Sequence, residues 1–148
     1  MYEYIVHNDA SGDIREAVRK HQATGLKLFK AVQQLMEDQD ALDRITQSDW
    51  GGSPNWPRPK SARFNTGPWG EAQAAQMNLW RLRFFDEDLL GYRLIHAYFP
   101  AHNRYVLLAA VEKAEWGVIL DERFNYELKH PTSQRIARAY HLLLEESW

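Results

Sequence analysis

The sequence predicts an α+β domain on a small antiparallel sheet, and three observations predict it. Asn78–Phe85, Tyr92–Phe99 and Arg104–Val111 are consecutive strand-like runs, parted by polar turns at Asp86–Gly91 and Pro100–Asn103. Ahead of them Ile14, Val18, Leu28, Phe29, Val32, Leu35 and Met36 recur at helical spacing. After them, Ile136, Tyr140, Leu143 and Leu144 share one side of a final helix. The N-terminal helices are expected to pack on one face of the sheet.

The elements follow in order. Tyr2 to His7 alternates aromatic or aliphatic with polar residues and reads as a short strand, closed by the turn-forming Asn8–Gly12. Ser11 or Asp13 is the expected cap of the helical stretch, and Gly25 a point where it kinks or splits into a hairpin. Leu42 and Ile45 continue a second short helix. Residues 48–70 then form a long Trp-, Pro- and Gly-rich loop carrying Trp50, Trp56 and Trp69. The near-continuous apolar run Val106–Val111 is that of a strand covered on both faces. The stretch Trp116–Lys129 reads as irregular, and His130-Pro131 opens the last helix.

At 148 residues, 45% hydrophobic and 26% charged, the chain is one domain spanning 1–148 that buries roughly 70% of its unfolded surface without staples. It has no cysteine, which excludes a disulfide scaffold, a thiol nucleophile and cysteine-based metal sites. The opening residues carry neither a basic start nor a long apolar run, and no stretch approaches the ~20 apolar residues of a membrane span. The expectation is a soluble cytoplasmic protein without a membrane partner. The histidines lack metal-site spacing, so no metal site is expected, and the glycines match neither the phosphate-loop nor the dinucleotide fingerprint.

The net charge of −2 conceals a basic middle: residues 56–113 hold eight basic and five acidic side chains, the rest ten and fifteen. Alternation sharpens this. Trp80, Leu82 and Phe84 share one strand face with Leu94, whereas Arg81, Arg83 and Arg93 project from the other. Guanidiniums converging on an open sheet face suit phosphate; the competing reading is a solvated face paired to Asp86, Glu87 or Asp88. Lys113, at the exit of the third run, joins the same end. His96, on the apolar side, reads as a core histidine; His130 reads as a turn residue or a group beside the basic face. Trp50, Trp56 and Trp69 read as loop anchors, with base stacking the alternative.

The runs Leu79-Trp80-Arg81-Leu82-Arg83-Phe84, Gly91-Tyr92-Arg93-Leu94-Ile95-His96-Ala97-Tyr98-Phe99 and Val106 to Lys113 resemble the RelE/ParE superfamily of type II toxin–antitoxin toxins. The resemblance covers about a third of the chain. It implies a RelE-like fold and a toxin held in check by a cognate antitoxin protein. It also implies a metal- and cofactor-independent endoribonuclease (mRNA interferase) that cleaves mRNA on the ribosome by attack of a 2′-hydroxyl on the adjacent phosphate. Arg81, Arg83, Arg93 and Lys113 match the family's basic positions.

Two departures bear on the chemistry. Arginine stands where RelE-like ribonucleases often carry lysine, and a guanidinium is a poor general base, so the base falls to Lys113, Glu112, His96 or His130. The chain is also longer than the usual compact toxin, leaving Tyr126 or Tyr140 for stacking or acid work. ParE-like relatives lack the ribonuclease residues and inhibit DNA gyrase by protein binding. That activity, and an inactive interaction module, are the alternatives.

Overall fold

The computed structural model describes residues 1–53, 57–115 and 121–146. Trp56, and residues 116–120 of the stretch expected to be irregular, lie outside the described residues. The elements run β1 (Glu3–Val6), α1 (Asn8–Lys20), α2 (Gln22–Met36), α3 (Gln39–Arg44), β2 (Phe64–Pro68), α4 (Gly70–Ala74), β3 (Leu79–Phe84), β4 (Tyr92–Phe99), β5 (Arg104–Glu112) and α5 (Pro131–Glu146). The five strands form one sheet in the order β1-β5-β4-β3-β2. The three runs of the meander stand as β3, β4 and β5, paired antiparallel.

Two features extend the expected sheet. β1 lies parallel to β5 with Glu3 beside Arg104, so the sheet is mixed. β2 comes from the segment read as loop and pairs antiparallel with β3, Asn65 facing Arg83 and Gly67 facing Arg81. Its sequence, Phe-Asn-Thr-Gly-Pro, carries residues usually depleted in strands, which an edge strand tolerates.

The helices form earlier and break earlier than their capping residues suggested. His7 caps α1, its Nδ1 accepting from the Asp9 amide at 3.0 Å. The break falls at His21, which is extended at φ −151° and ψ 93°, and its ring caps α2 by accepting from the Thr24 amide. Gly25 instead marks where the two helices cross: a Cβ there would stand 2.3 Å from the Val18 nitrogen. Asp13 accepts both Arg135 guanidinium nitrogens, at 2.9 and 2.7 Å, and the Ala110 amide at 3.0 Å. It thereby ties α1 and α5 to β5.

Strand alternation divides the core in two. Leu82, Phe84 and Leu94 face Ile14, Leu28, Val32 and Leu42 of α1, α2 and α3, as expected of the helix-covered side. Leu79, Ile95, Phe99 and Leu108 face Trp69, Phe124, Ile136 and Tyr140. The C-terminal helix therefore covers the sheet face opposite the N-terminal helices. Tyr140 stacks on Phe99 at 5.6 Å and its hydroxyl accepts from the Asn78 amide at 3.2 Å. Phe99 closes β4 and Asn78 precedes β3, so α5 sits at one end of this face. The other end, where β3 and β5 finish and β4 begins, carries the arginines.

Among the described residues no helix is long and apolar enough to cross a membrane.

Candidate active site

Arg81, Arg83, Arg93, Lys113, Tyr126 and Asn65 line a single depression of about 230 Å³ at that uncovered end. β3 supplies Arg81 and Arg83, two residues apart and hence on one face; β4 supplies Arg93 at its second residue; Lys113 follows the last residue of β5. Tyr126 enters from the irregular segment before α5.

Each cation is fixed differently. Arg81 Nη1 donates to Asn65 Oδ1 at 2.8 Å, and Asn65 Nδ2 donates to the Trp50 and Gly52 carbonyls at 2.9 Å. Gly67, opposite Arg81, leaves room for its guanidinium: a Cβ there would stand 2.8 Å from Nη2. Arg93 Nη1 donates to the Leu90 and Tyr92 carbonyls at 2.7 and 2.9 Å. Burial, then the neighbouring Arg83 and Arg81 charges, hold its pKa below the ordinary arginine value. Arg83 keeps its buried Nε without a partner. Lys113 is pinned through its backbone, whose amide donates to the Gly91 carbonyl at 2.8 Å beside a bridge to Phe124.

Among the described residues none of these four cations has a carboxylate within 4.0 Å. Two of the three acids that competed for the arginines are engaged elsewhere: Asp86 and Asp88 hold Lys27 at 3.0 and 2.8 Å. Four like charges without a counterion are mutually repulsive, and an anion with several acceptor oxygens relieves that repulsion.

Tyr126 is held in an unusual conformation. Its φ is +65°, a left-handed backbone that costs a bulky residue about 1–3 kcal/mol and persists only where surroundings enforce it. Here Trp69 Nε1 donates to the Tyr126 carbonyl at 2.8 Å, and the rings of Phe124 and Trp69 stand edge-on at 4.6 and 6.0 Å. The phenol stands beside the Arg93 guanidinium and interacts with it, although its buried hydroxyl makes no hydrogen bond of full geometry. Burial raises its pKa although Arg93, Arg81 and Arg83 pull it down, so the hydroxyl is protonated at neutral pH.

The remaining sequence candidates fall outside this constellation. His130 does not line the depression: its Nδ1 accepts from the Thr132 amide at 3.1 Å, its Nε2 is bound to the Glu122 carbonyl at 2.9 Å, and its ring meets Phe124. Pro131 begins α5 directly after it, so the imidazole is turned back to cap that helix. Glu112 binds Arg123 at 3.2 Å. His96 is fully buried with Nε2 at 2.7 Å from the Tyr4 hydroxyl, its pKa pushed down to about 3 by burial; it is a core histidine. Trp50 lies under the Arg44 guanidinium at 4.3 Å and Trp69 is buried, as loop anchors are. Asn65 is the site residue that the sequence did not reveal, because β2 itself read as loop.

Two further hollows share residues with the depression. One of about 270 Å³ shares Arg81 and Tyr126 and adds Trp69, Glu71 and Glu127. Another of about 560 Å³ shares Asn65, Arg81 and Arg83 and adds Asp49, Arg58 and Phe85. No family model matches the chain, and no curated protein and no solved structure matches it significantly.

Proposed function

We propose that the chain is a RelE-like toxin of a type II toxin–antitoxin system, an endoribonuclease that cleaves mRNA at the cationic pocket. The observation that carries this reading is the convergence of Arg81, Arg83, Arg93 and Lys113 around a donor hydroxyl, with no carboxylate neutralising them among the described residues. A pocket built for a fully paired surface would not leave Arg83 Nε buried and unpartnered.

The reaction this arrangement supports is intramolecular transesterification. The ribose 2′-oxygen bonds to the adjacent phosphorus as the bond from phosphorus to the 5′-oxygen of the next nucleotide breaks. Arg81, Arg83 and Arg93 offer donors to the non-bridging oxygens, where charge accumulates in the five-coordinate transition state. Tyr126 gives its proton to the departing 5′-oxygen. Lys113, as a cation, neutralises the phosphorane, and the 2′-proton passes to water. The products are a 2′,3′-cyclic phosphate and a 5′-hydroxyl, and the groups that bind the phosphate and protonate the leaving oxygen all line the depression. On this reading the partners are a cognate antitoxin that covers the basic end of the sheet, and mRNA engaged on the ribosome in the cytoplasm.

The test is primer extension on cellular mRNA after brief induction of the wild type and of Arg93→Ala, with growth followed in parallel. Discrete new 5′ ends and growth arrest, both absent in the variant, are expected. Growth arrest with gyrase-linked DNA damage and intact mRNA would replace this reading with the ParE-like one.

A further inference from the structure

The larger of the two neighbouring hollows carries chemistry that phosphate binding does not use. Arg58 is exposed, with its Cζ 4.2 Å from the centroid of the Phe85 ring; Arg83 Cζ stands 5.8 Å from the same ring. Among the described residues Arg58 has no carboxylate within 4.0 Å. Its stacking on an aromatic face holds the guanidinium plane without an ion pair. The backbone is shaped for this placement. Gly52 has φ +110°, and a Cβ on it would stand 3.1 Å from the Arg58 nitrogen and Cα, so the left-handed turn lets Arg58 close over Phe85.

We propose that the Arg58–Phe85 pair is a nucleobase platform, on which the base next to the phosphate held by Arg81 and Arg83 stacks, making the ligand single-stranded RNA of at least two nucleotides. The inference rests on the phosphate reading of the neighbouring pocket and extends it. The two hollows share Asn65, Arg81 and Arg83, so a group bonded through one sugar to that phosphate reaches the second hollow. At about 560 Å³ against about 230 Å³, the second is the roomier and fits a planar ring system. A guanidinium with one face on an aromatic ring offers its other face to a base. Bases in a duplex are stacked on both sides, so the platform selects an unpaired strand. Stacking reads a face common to every base, and the platform is therefore tolerant of sequence.

Fluorescence anisotropy with a labelled, uncleavable 2′-O-methyl RNA hexanucleotide tests this, using the wild type, Arg58→Ala, Arg58→Lys and Arg81→Ala. A parallel set of strands carries one abasic site, moved through each position. Both Arg58 variants are expected to weaken the intact strand by roughly 5- to 100-fold, with Arg58→Lys as poor as Arg58→Ala because it restores charge without a plane. At one abasic position the wild type is expected to lose the same factor, and there the Arg58 variants add less than about twofold. Arg58→Lys binding like the wild type, or the Arg58 variants weakening every abasic strand as much as the intact one, would overturn the platform and make Arg58 a phosphate contact. Arg81→Ala binding as tightly as the wild type would overturn the phosphate reading and the platform with it.

Discussion

The indole Nε1 of Trp69 donates a 2.8 Å hydrogen bond to the backbone carbonyl of Tyr126, and this bond joins the buried end of the loop to the residue that completes the pocket. Tyr126 stands at φ +65°, a conformation that unsupported backbone leaves. Trp69→Phe keeps the apolar packing and deletes the donor. The expected result is a loss of about 1 kcal/mol in stability but at least a roughly tenfold fall in kcat for RNA cleavage, because a displaced phenol no longer meets the leaving oxygen. Binding of an uncleavable strand changes little. Denaturant unfolding and single-turnover kinetics measure the two effects separately.

Gly67→Ala displaces the Arg81 guanidinium without substituting Arg81 itself. The added Cβ meets the far end of the Arg81 side chain, 2.8 Å from Nη2 and 3.1 Å from Cζ, so the guanidinium moves and β2 does not. Stability is expected to stay within about 0.5 kcal/mol of wild type. Affinity for a single strand falls about tenfold, and the slope of log affinity against log salt shrinks by roughly 0.7, the share of one phosphate contact.

His96 sets an acid limb on stability. Its folded pKa is about 3 against 6.5 for the free side chain. Its contribution is therefore fully present above pH 6.5 and is lost as pH falls toward 3, because the unfolded chain takes up a proton that the buried ring refuses. His96→Gln keeps a partner for the Tyr4 hydroxyl and removes the titration. Between pH 6.5 and 4.5 the wild type is expected to lose about 2 kcal/mol more than this variant. Parallel denaturation curves across that range would remove His96 from the account.

His130→Ala removes the acceptor that caps the Thr132 amide and the contact with the Glu122 carbonyl. A stability loss of about 1 kcal/mol is expected, with RNA cleavage within about twofold of wild type, as measured on purified protein. A hundredfold loss of kcat at unchanged stability would return His130 to the chemistry.

The parts of the site that lie on strands were legible because strand geometry is local. Arg81, Arg83 and Arg93 share a face through nothing more than the period of two, and Lys113 follows from where the third run ends. Other features depend on packing that alternation does not encode. An amphipathic α5 carries no sign of which sheet face it will cover, and that choice delivers Tyr126 to the pocket. β2 hid in a Gly- and Pro-bearing segment because an edge strand needs only one partner, and Asn65 was hidden with it. His130 and Tyr140 read like Tyr126 in the sequence; in the fold they bind the Thr132 and Asn78 amides, whereas Tyr126 lines the cationic pocket.

The most direct test of the central claim is cleavage of a single-stranded RNA by the purified protein and by Tyr126→Phe, with the products identified by mass. The account predicts 2′,3′-cyclic phosphate ends, loss of cleavage at any position carrying a 2′-deoxy sugar, and a roughly 100-fold fall in kcat in Tyr126→Phe, with binding of the uncleavable strand within about twofold. Cleavage that survives 2′-deoxy substitution, or a Tyr126→Phe enzyme as fast as the wild type, would contradict it.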